Sequence, residues 1–213
     1  MRGRFIALEG GEGTGKSTQA RMLAEALRAR GLDVELTREP GGTTGAEAIR
    51  QLLLHPPHGG WLPRAEALLF AAARSDHVAR LIRPALESGR WVVCDRFVDS
   101  SRAYQGAAGN LGEEAITTLH EIGSEGLRPD VTLLIAVGAG EVAQRLSTRD
   151  AEGADAIGGR GEDYHGAVAR RFAELAEADP DGFRVIDGNG SPEAVHRRII
   201  EVLDPFIEQN WRC

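Results

Sequence analysis

Lysine is almost absent from this sequence of 213 residues: of its 25 lysine and arginine residues, only Lys16 is a lysine. Cysteine is equally scarce, since Cys94 and Cys213 are the two present, and two cysteines do not make a disulfide framework. The six histidines lack the paired spacing of zinc ligands, so we expect no structural zinc site. Because arginine occupies every other lysine-or-arginine position, the single lysine indicates that a compact ammonium group is needed at position 16.

Long apolar runs and excess positive charge are also missing. No run approaches the roughly 18 apolar residues of a membrane-spanning helix, and the net charge of -7 argues against a nucleic-acid partner. Residues 1–13 reach glycines and a carboxylate too soon for a signal peptide. With 42% hydrophobic and 27% charged residues, the composition is that of a folded domain. We expect a cytoplasmic protein with no membrane partner.

Short apolar runs alternate with longer helical patterns along the whole chain. Strands are predicted at residues 5–8, 34–37, 91–94, 131–135 and 184–186. Helices are predicted at residues 16–30, 44–54, 64–88, 112–125, 140–148, 163–178 and 192–209. Strict alternation predicts an α/β fold, a five-stranded parallel sheet with helices on both faces. No linker divides residues 1–213, so we expect a single domain.

One stretch interrupts this alternation. Residues 149–162 are rich in glycine, alanine and charge and contain little apolar surface. Such a stretch is typical either of a solvated surface loop or of a mobile lid over a site. We expect it to be a lid.

The segment after the first strand matches the phosphate-binding pattern G-x-x-x-x-G-K-[ST]. Glycines there allow backbone N–H groups to converge on phosphate oxygens, and the following helix N-terminus adds partial positive charge. Lys16 can reach the β- and γ-phosphates, and the Ser17 hydroxyl can bind Mg²⁺. The pattern predicts an ATP-binding site made of Gly10, Gly11, Glu12, Gly13, Thr14, Gly15, Lys16, Ser17 and Thr18.

Asp95 and Arg96 end the third strand. In a parallel sheet their side chains lie at the same edge as the phosphate loop. A carboxylate at this place can hold Mg²⁺ through water, so Ser17 and Asp95 are the candidate metal ligands. Arg96 is positioned to contact a phosphate.

The type of P-loop protein is narrowed by what the sequence cannot contain. The guanine-recognition motif N-K-x-D needs a lysine, and the only one, Lys16, is already in the phosphate loop. Motor and ring ATPases usually need longer chains. A chain of this size suits a small kinase that phosphorylates a nucleotide or metabolite.

Three further segments point to one kinase family. Arg38-Glu39-Pro40-Gly41-Gly42-Thr43 follows the second strand, Leu69 to His77 reads LFAAARSDH, and residues 95–106 read DRFVDSSRAYQG. With the phosphate loop, these segments closely resemble the thymidylate kinase family over nearly the whole chain. The resemblance implies a P-loop nucleoside monophosphate kinase fold and transfer of the ATP γ-phosphoryl group to dTMP.

The resemblance also implies roles for individual residues in binding dTMP. Phe70 resembles the aromatic residue that stacks on thymine, Arg74 the residue that hydrogen-bonds the base, and Tyr104 the ring that crowds the sugar 2′ position. Glu12 resembles an acidic residue near the acceptor's sugar and phosphate. The other substrate-binding candidates are Arg38, Pro40, Arg96, Ser100, Ser101 and Gln105.

Catalysis by such a kinase needs positive charge rather than a general base, because the acceptor phosphate is already largely deprotonated near pH 7. Lys16 and Arg96 are candidate catalytic residues. Family members often carry an arginine in the lid where this chain has Ala156. We expect Arg149 or Arg160 to substitute for it, and Arg145 lies just before the lid.

Two alternatives remain open at this point. The chain could phosphorylate another nucleoside monophosphate, or it could be a P-loop module that binds nucleotide without phosphoryl transfer. The resemblance further implies a homodimer. The helical segment 64–82 offers apolar and small residues for that contact, namely Ala65, Leu68, Leu69, Ala72 and Ala73.

Overall fold

The computed structural model describes residues 2–138, 140–142, 145 and 158–211. Within them lies a five-stranded sheet in the order β2-β3-β1-β4-β5, and every pairing is parallel. The strands are β1 Phe5–Glu9, β2 Val34–Arg38, β3 Trp91–Asp95, β4 Val131–Ala136 and β5 Phe183–Asp187. The predicted parallel sheet is confirmed, and each strand is at least one residue longer than expected.

Helices connect successive strands, as the alternation predicted. They are α1 Lys16–Ala29, α2 Thr44–Leu54, α3 Pro63–His77, α4 Arg83–Glu87, α5 Val98–Ser101, α6 Glu113–Ser124, α7 Glu162–Ala178 and α8 Pro192–Trp211. Residues 140–142 and 145 are also helical. Two π-helical turns, Val78–Ile82 and Arg102–Ala108, extend α3 and α5.

Both faces of the sheet are buried, as the apolar strands require. Because side chains alternate along a strand, β1 directs Ile6 and Leu8 toward one layer and Phe5 toward the other. The first layer contains α1 and α8, and the second contains the Val78–Ile82 turn and α4. A third cluster joins α7 to Leu134 of β4. The phosphate loop is therefore anchored by the most deeply buried strand.

Two helical segments differ from the prediction. Residues 64–88 are not one uniform α-helix, because the backbone takes a π-helical turn at Val78–Ile82 before Pro84. Proline has no N–H to donate to the preceding turn, and a π-helical turn accommodates that loss. The helical segment from Val98 to Ala108 was missed. It places Tyr104 and Gln105 beside the sheet.

The predicted lid falls mainly outside the described residues. Residues 149–157 are among those not described, and residues 158–160 form a turn that leads into α7. Among the described ranges, no helix combines the length and the apolar character that crossing a membrane would need.

Candidate active site

The phosphate loop joins β1 to α1 and curls around the ammonium group of Lys16. Gly15 begins α1 with a φ of 90°, a left-handed conformation that glycine adopts without steric cost. Lys16 Nζ donates to Gly11 O at 2.5 Å and to Thr14 Oγ1 at 3.2 Å. The lysine side chain thus lies within its own loop, where the phosphates of a nucleotide would meet it.

Burial and a neighbouring positive charge lower the pKa of the Lys16 ammonium group. Its residue is 6% exposed, and burial together with the positive charge of Arg96 lowers its pKa from 10.5 to about 8. Glu12 and Asp95 act in the opposite direction. An anion bound in the loop would favour the charged form of the lysine.

Ser17 and Asp95, the two predicted metal ligands, are in contact across the loop. The Ser17 hydroxyl donates to Asp95 Oδ2. Asp95 Oδ1 is buried, and no described group donates to it, so this oxygen is available as an acceptor or metal ligand. Among the described residues no group of three or more His, Cys, Asp and Glu side chains could hold a metal alone. The residues present fit Mg²⁺, which commonly takes one or two protein ligands beside phosphate oxygens and water.

Arg96 bridges the phosphate loop and the helical segment that follows β3. Its φ is 71°, which is uncommon for a residue with a side chain. Nη1 donates to Gly10 O at 3.0 Å and to Ser100 Oγ at 3.1 Å, and Nη2 donates to Glu12 Oε1 at 2.6 Å and to Tyr104 Oη at 3.3 Å. The guanidinium group is therefore fixed beside the loop by four contacts.

The carboxylate of Glu9, at the end of β1, binds the start of the helical segment that follows β3. This contact was not predicted from the sequence. Glu9 Oε1 accepts from Phe97 N at 2.8 Å and Ser100 N at 3.0 Å, while Oε2 accepts from Ser100 Oγ at 2.6 Å. The side chain is fully buried. Burial and the nearby charge of Asp99 raise its pKa from 4.5 to about 7.

Arg74 is held by a buried polar network. Its Nε donates to Glu39 Oε2 at 2.7 Å, and its Nη2 donates to Phe97 O at 3.1 Å and Ser101 Oγ at 3.0 Å. Glu39 Oε1 lies 3.0 Å from His77 Nδ1. The Arg74 and Glu39 side chains are 5% and 4% exposed. Glu39 and His77 were not predicted to belong to the site.

The network continues to the glycine turn after β2. His77 Nε2 lies 2.7 Å from Thr37 Oγ1. Gly42 has a φ of 89°, and a Cβ atom there would lie 2.6 Å from His77 Nε2 and would also overlap Thr37 Oγ1. The turn therefore requires glycine for both its conformation and its lack of a side chain.

Most of the predicted site residues line one cavity of about 460 Å³, whereas Gly10, Gly11 and Thr14 of the phosphate loop are not among its lining residues. It runs from the phosphate loop to Phe70 and Arg74. The predicted residues that line it are Glu12, Gly13, Gly15, Lys16, Ser17, Thr18, Arg38, Pro40, Phe70, Arg74, Asp95, Arg96, Ser100, Ser101, Tyr104 and Gln105. Glu39, Arg50, Leu54, Phe97 and Arg145 line it as well.

Two basic residues of the cavity wall already have partners. Arg38 Nη2 donates to Glu47 Oε1 at 2.9 Å, and the Arg38 side chain is 52% exposed. Arg145 Nη1 lies 3.4 Å from Thr14 O, while its Nη2 donates to Gly188 O at 2.9 Å and forms an ion pair with Glu141. Arg145 is therefore a further basic residue beside the phosphate loop.

The two candidate lid arginines are placed differently. Arg149 lies outside the described residues. Arg160 forms an ion pair with Glu66, donates to Tyr164 Oη at 2.5 Å, and lines a second cavity of about 330 Å³. In this conformation Arg160 is not among the residues that line the phosphate cavity.

Comparison with known proteins identifies the family. A family model described as thymidylate kinase matches residues 8–199. A thymidylate kinase of Rhizorhabdus wittichii is 59% identical over 207 residues, covering 97% of this chain and 100% of that protein. The chain belongs to the thymidylate kinase family.

Further members of the thymidylate kinase family support this assignment. One from Symbiobacterium thermophilum is 45% identical over 208 residues, covering 98% of this chain and 96% of that protein. The crystal structure of thymidylate kinase from Ehrlichia chaffeensis superimposes with a TM-score of 0.77 at 32% identity, covering 95% of this chain and 100% of that chain. The resemblance drawn from the sequence is confirmed, as is the P-loop kinase fold.

Proposed function

We propose that this thymidylate kinase uses the cavity between Lys16 and Arg74 to hold ATP and dTMP end to end. The activity is that of its family: the γ-phosphoryl group of ATP passes to dTMP. The observation that carries the assignment of residues is the continuity of one cavity. It joins the phosphate loop, where the ATP phosphates would bind, to Phe70 and Arg74, where the dTMP base would bind.

Electrostatic stabilisation is the main contribution of the chain to the reaction. Two anions must approach in line, and their repulsion is offset by Lys16, Arg96 and the N-terminus of α1. Arg96 is fixed before substrate arrives, because Gly10, Ser100 and Glu12 already hold its guanidinium group. Little reorganisation is then needed during transfer.

We propose Mg²⁺ as the cofactor, which Ser17 and Asp95 would hold. When bound, the ion would neutralise negative charge on the ATP phosphates. The buried Asp95 Oδ1 that no described group engages supports this assignment.

The base end of the cavity is suited to a pyrimidine. Phe70 offers a ring for stacking, and Arg74 offers donors to a carbonyl oxygen. Tyr104 Oη lies 3.1 Å from Glu12 Oε1, which fixes the phenol where the sugar is expected. Arg38, Pro40, Ser100, Ser101 and Gln105 complete the proposed acceptor site.

The proposed activity is tested by measuring ADP formation with and without dTMP. We expect dTMP-dependent ADP, and we expect dTMP to outcompete dCMP, GMP and UMP. Arg74→Ala should raise the KM for dTMP, whereas Arg80→Ala, whose side chain is 72% exposed, should not. The lack of any dTMP-dependent ADP formation would contradict the proposal and favour a P-loop module that binds nucleotide without phosphoryl transfer.

We propose that a lid arginine, Arg149 or Arg160, stabilises the negative charge that develops in the transition state. Arg149→Ala, Arg160→Ala and the double variant separate them. A large fall in kcat with little change in KM identifies a transition-state contact. An unchanged kcat in the double variant would exclude both residues.

We also propose a single-domain homodimer that acts in the cytoplasm. Leu68 on α3 and Ile122 on α6 are 56% and 78% exposed, and the two helices pack closely, since a Cβ at Gly123 would lie 3.4 Å from Ala71 O. Ala73, one of the residues proposed for the contact, is buried in the monomer instead.

The proposed cytoplasmic location is consistent with the cysteine chemistry. Cys94 is a buried free thiol, which suits a reducing compartment.

A further inference from the structure

Glu66 connects the base end of the cavity to Arg160, in the described end of the predicted lid. It lies in the first turn of α3 and is 8% exposed. Its Oε1 accepts a hydrogen bond from Gln105 Nε2 at 3.0 Å, and its Oε2 forms an ion pair with Arg160 Nη2. Glu66 was not among the site residues predicted from the sequence.

The chemistry of a carboxylate decides the orientation of the Gln105 amide. An ionised carboxylate has acceptors only, so Gln105 must turn its NH₂ group toward Glu66. Its carbonyl oxygen, Oε1, then remains for a ligand, and no described hydrogen bond uses it. Gln105 is 3% exposed and lines both cavities, so a fixed acceptor lies at the base end of the site.

Arg160 gives the buried Glu66 side chain an ion-pair partner. A buried carboxylate without a cationic partner would be costly, and Arg160 supplies that partner. The Arg160 guanidinium carbon also lies 4.7 Å from the centre of the Tyr164 ring. Tyr164 Oη in turn donates to Tyr104 O at 2.9 Å, which ties α7 to the helical turn that carries Gln105.

The two polar groups at the base end present opposite hydrogen-bonding characters. Arg74 can only donate, and among the described contacts its Nη1 is not used. Gln105 Oε1 can only accept. Thymine offers a carbonyl oxygen at position 4 and an N–H at position 3, whereas cytosine offers an amino group and an unprotonated nitrogen. The pair is complementary to thymine and mismatched to cytosine at both positions.

We propose that Glu66 is a specificity-determining positioning residue that orients the Gln105 amide so that its carbonyl oxygen reads the N3–H of the base. This inference rests on the proposed function, because it assumes that dTMP binds in this cavity. Glu66 itself does not touch the base. Its effect is to prevent the amide from turning over and offering a donor to cytosine.

The test is calorimetric binding of dTMP and dCMP to Glu66→Gln. The new amide at position 66 can donate or accept, so Gln105 is free to take either orientation. We expect the ratio of the dCMP to the dTMP dissociation constant to fall roughly tenfold, the equivalent of about one hydrogen bond. The matched control is Glu177→Gln, an exposed carboxylate on α7, which should keep the wild-type ratio.

A reciprocal variant makes the test independent of simple damage to the site. In Glu66→Gln combined with Gln105→Glu, the acceptor-only group stands at position 105 and the amide at position 66, so an acceptor again faces the base. We expect the ratio to rise above that of Glu66→Gln alone. A purely structural role would weaken both nucleotides equally and leave the ratio unchanged.

The outcomes separate this inference from the proposed function. An unchanged ratio in Glu66→Gln, or no recovery in the double variant, would overturn the role of Glu66 even if dTMP-dependent ADP formation is normal. Absence of dTMP-dependent ADP formation by the wild-type protein would overturn the proposed function. Binding constants are measured without turnover and refer to the folded fraction, so reduced activity or yield does not obscure the ratio.

Discussion

Glu39 Oε2 lies 2.7 Å from Arg74 Nε in a pair from which water is almost excluded. The carboxylate is shared with His77, 3.0 Å from its other oxygen. Although burial alone would raise the pKa of Glu39, the positive charge of Arg74 and the hydrogen bond from His77 hold it below its usual value. Glu39 is therefore the charged partner that keeps Arg74 in place at the cavity wall.

Replacing Glu39 should destabilise the protein and weaken nucleotide binding together. Glu39→Gln leaves the Arg74 charge buried without a counterion, so we expect a loss of about 3 kcal/mol in the free energy of unfolding and a higher KM for dTMP. Urea denaturation and steady-state kinetics measure the two effects. Asp204→Asn removes a partly exposed pair with Arg30 and should cost less than about 1 kcal/mol. Equal losses in both variants would contradict this account.

The buried carboxyl of Glu9 should make stability depend on pH. Its pKa is about 7 in the folded protein against 4.5 as the ordinary value, so the folded state binds the proton more tightly. The resulting contribution of Glu9 to the free energy of unfolding is present at low pH and is lost as pH rises toward and through 7. Between pH 5.5 and 8, the wild type should lose about 2 kcal/mol relative to Glu9→Gln.

Chemical denaturation of the two proteins across this pH range measures the difference. Glu9→Gln removes the titration while keeping an oxygen that can accept from Phe97 N. Parallel stability curves for the wild type and the variant would show that Glu9 titrates normally.

Lys16 should make ATP capture depend on pH in the alkaline range. With a pKa of about 8 in the free protein, the ammonium group loses its proton above that pH and no longer attracts phosphate. We expect kcat/KM for ATP to fall above about pH 8, while kcat at saturating ATP persists to higher pH because bound phosphate favours the charged lysine. Calorimetry at pH 8 in buffers of different ionisation enthalpy should detect proton uptake on binding.

Lys16→Arg provides the control for this profile. A guanidinium group stays charged throughout the range, so the variant should bind ATP less well but without the fall above pH 8. A profile that falls identically in both proteins would assign the ionisation to another group.

The proposed dimer makes a separate prediction about oligomeric state. A charge placed at Leu68 would have to be buried in the contact, so Leu68→Arg should convert the dimer to a monomer at micromolar concentration. Val185→Arg changes an apolar residue of comparable exposure, 60%, on the edge strand β5 and should leave the dimer intact. Sedimentation velocity distinguishes the two species. A wild type that sediments as a monomer would refute the dimer itself.

The phosphate loop and the sheet could be predicted because their signals are local. Gly10, Gly15 and Lys16 lie within one short stretch after an apolar strand, so their spacing can be recognised directly in the sequence. The alternation of strands and helices likewise predicts a parallel sheet. The site blocks at residues 38–43 and 95–106 were found by resemblance, and every substrate-binding residue predicted within them lines the cavity.

Long-range polar contacts could not be predicted in the same way. Glu9 reads as the last residue of a strand, and its acceptance of hydrogen bonds from Phe97 and Ser100 spans about ninety residues of sequence. Glu39 lies in the recognised segment, but nothing local shows that it pairs with Arg74. Glu66 reads as an ordinary acidic residue in a first helical turn.

The helical segment Val98–Ala108 was missed for a different reason. Its sequence, VDSSRAYQGAA, mixes serines and glycine with few apolar residues, so its helical periodicity is weak. The π-helical turn within it carries Tyr104 and Gln105 into the site. Such turns are frequent at functional sites, and tertiary contacts with α7 stabilise this one.

The tight turn at Gly42 also limits which substitutions this position can accept during evolution. Since even a methyl group would intrude on Thr37 and His77, random mutagenesis followed by selection for growth should return glycine alone at this position, while Gly31, whose Cβ would meet open space, should tolerate asparagine. The innermost polar residues thereby place an evolutionary constraint on a residue that itself bears no functional group.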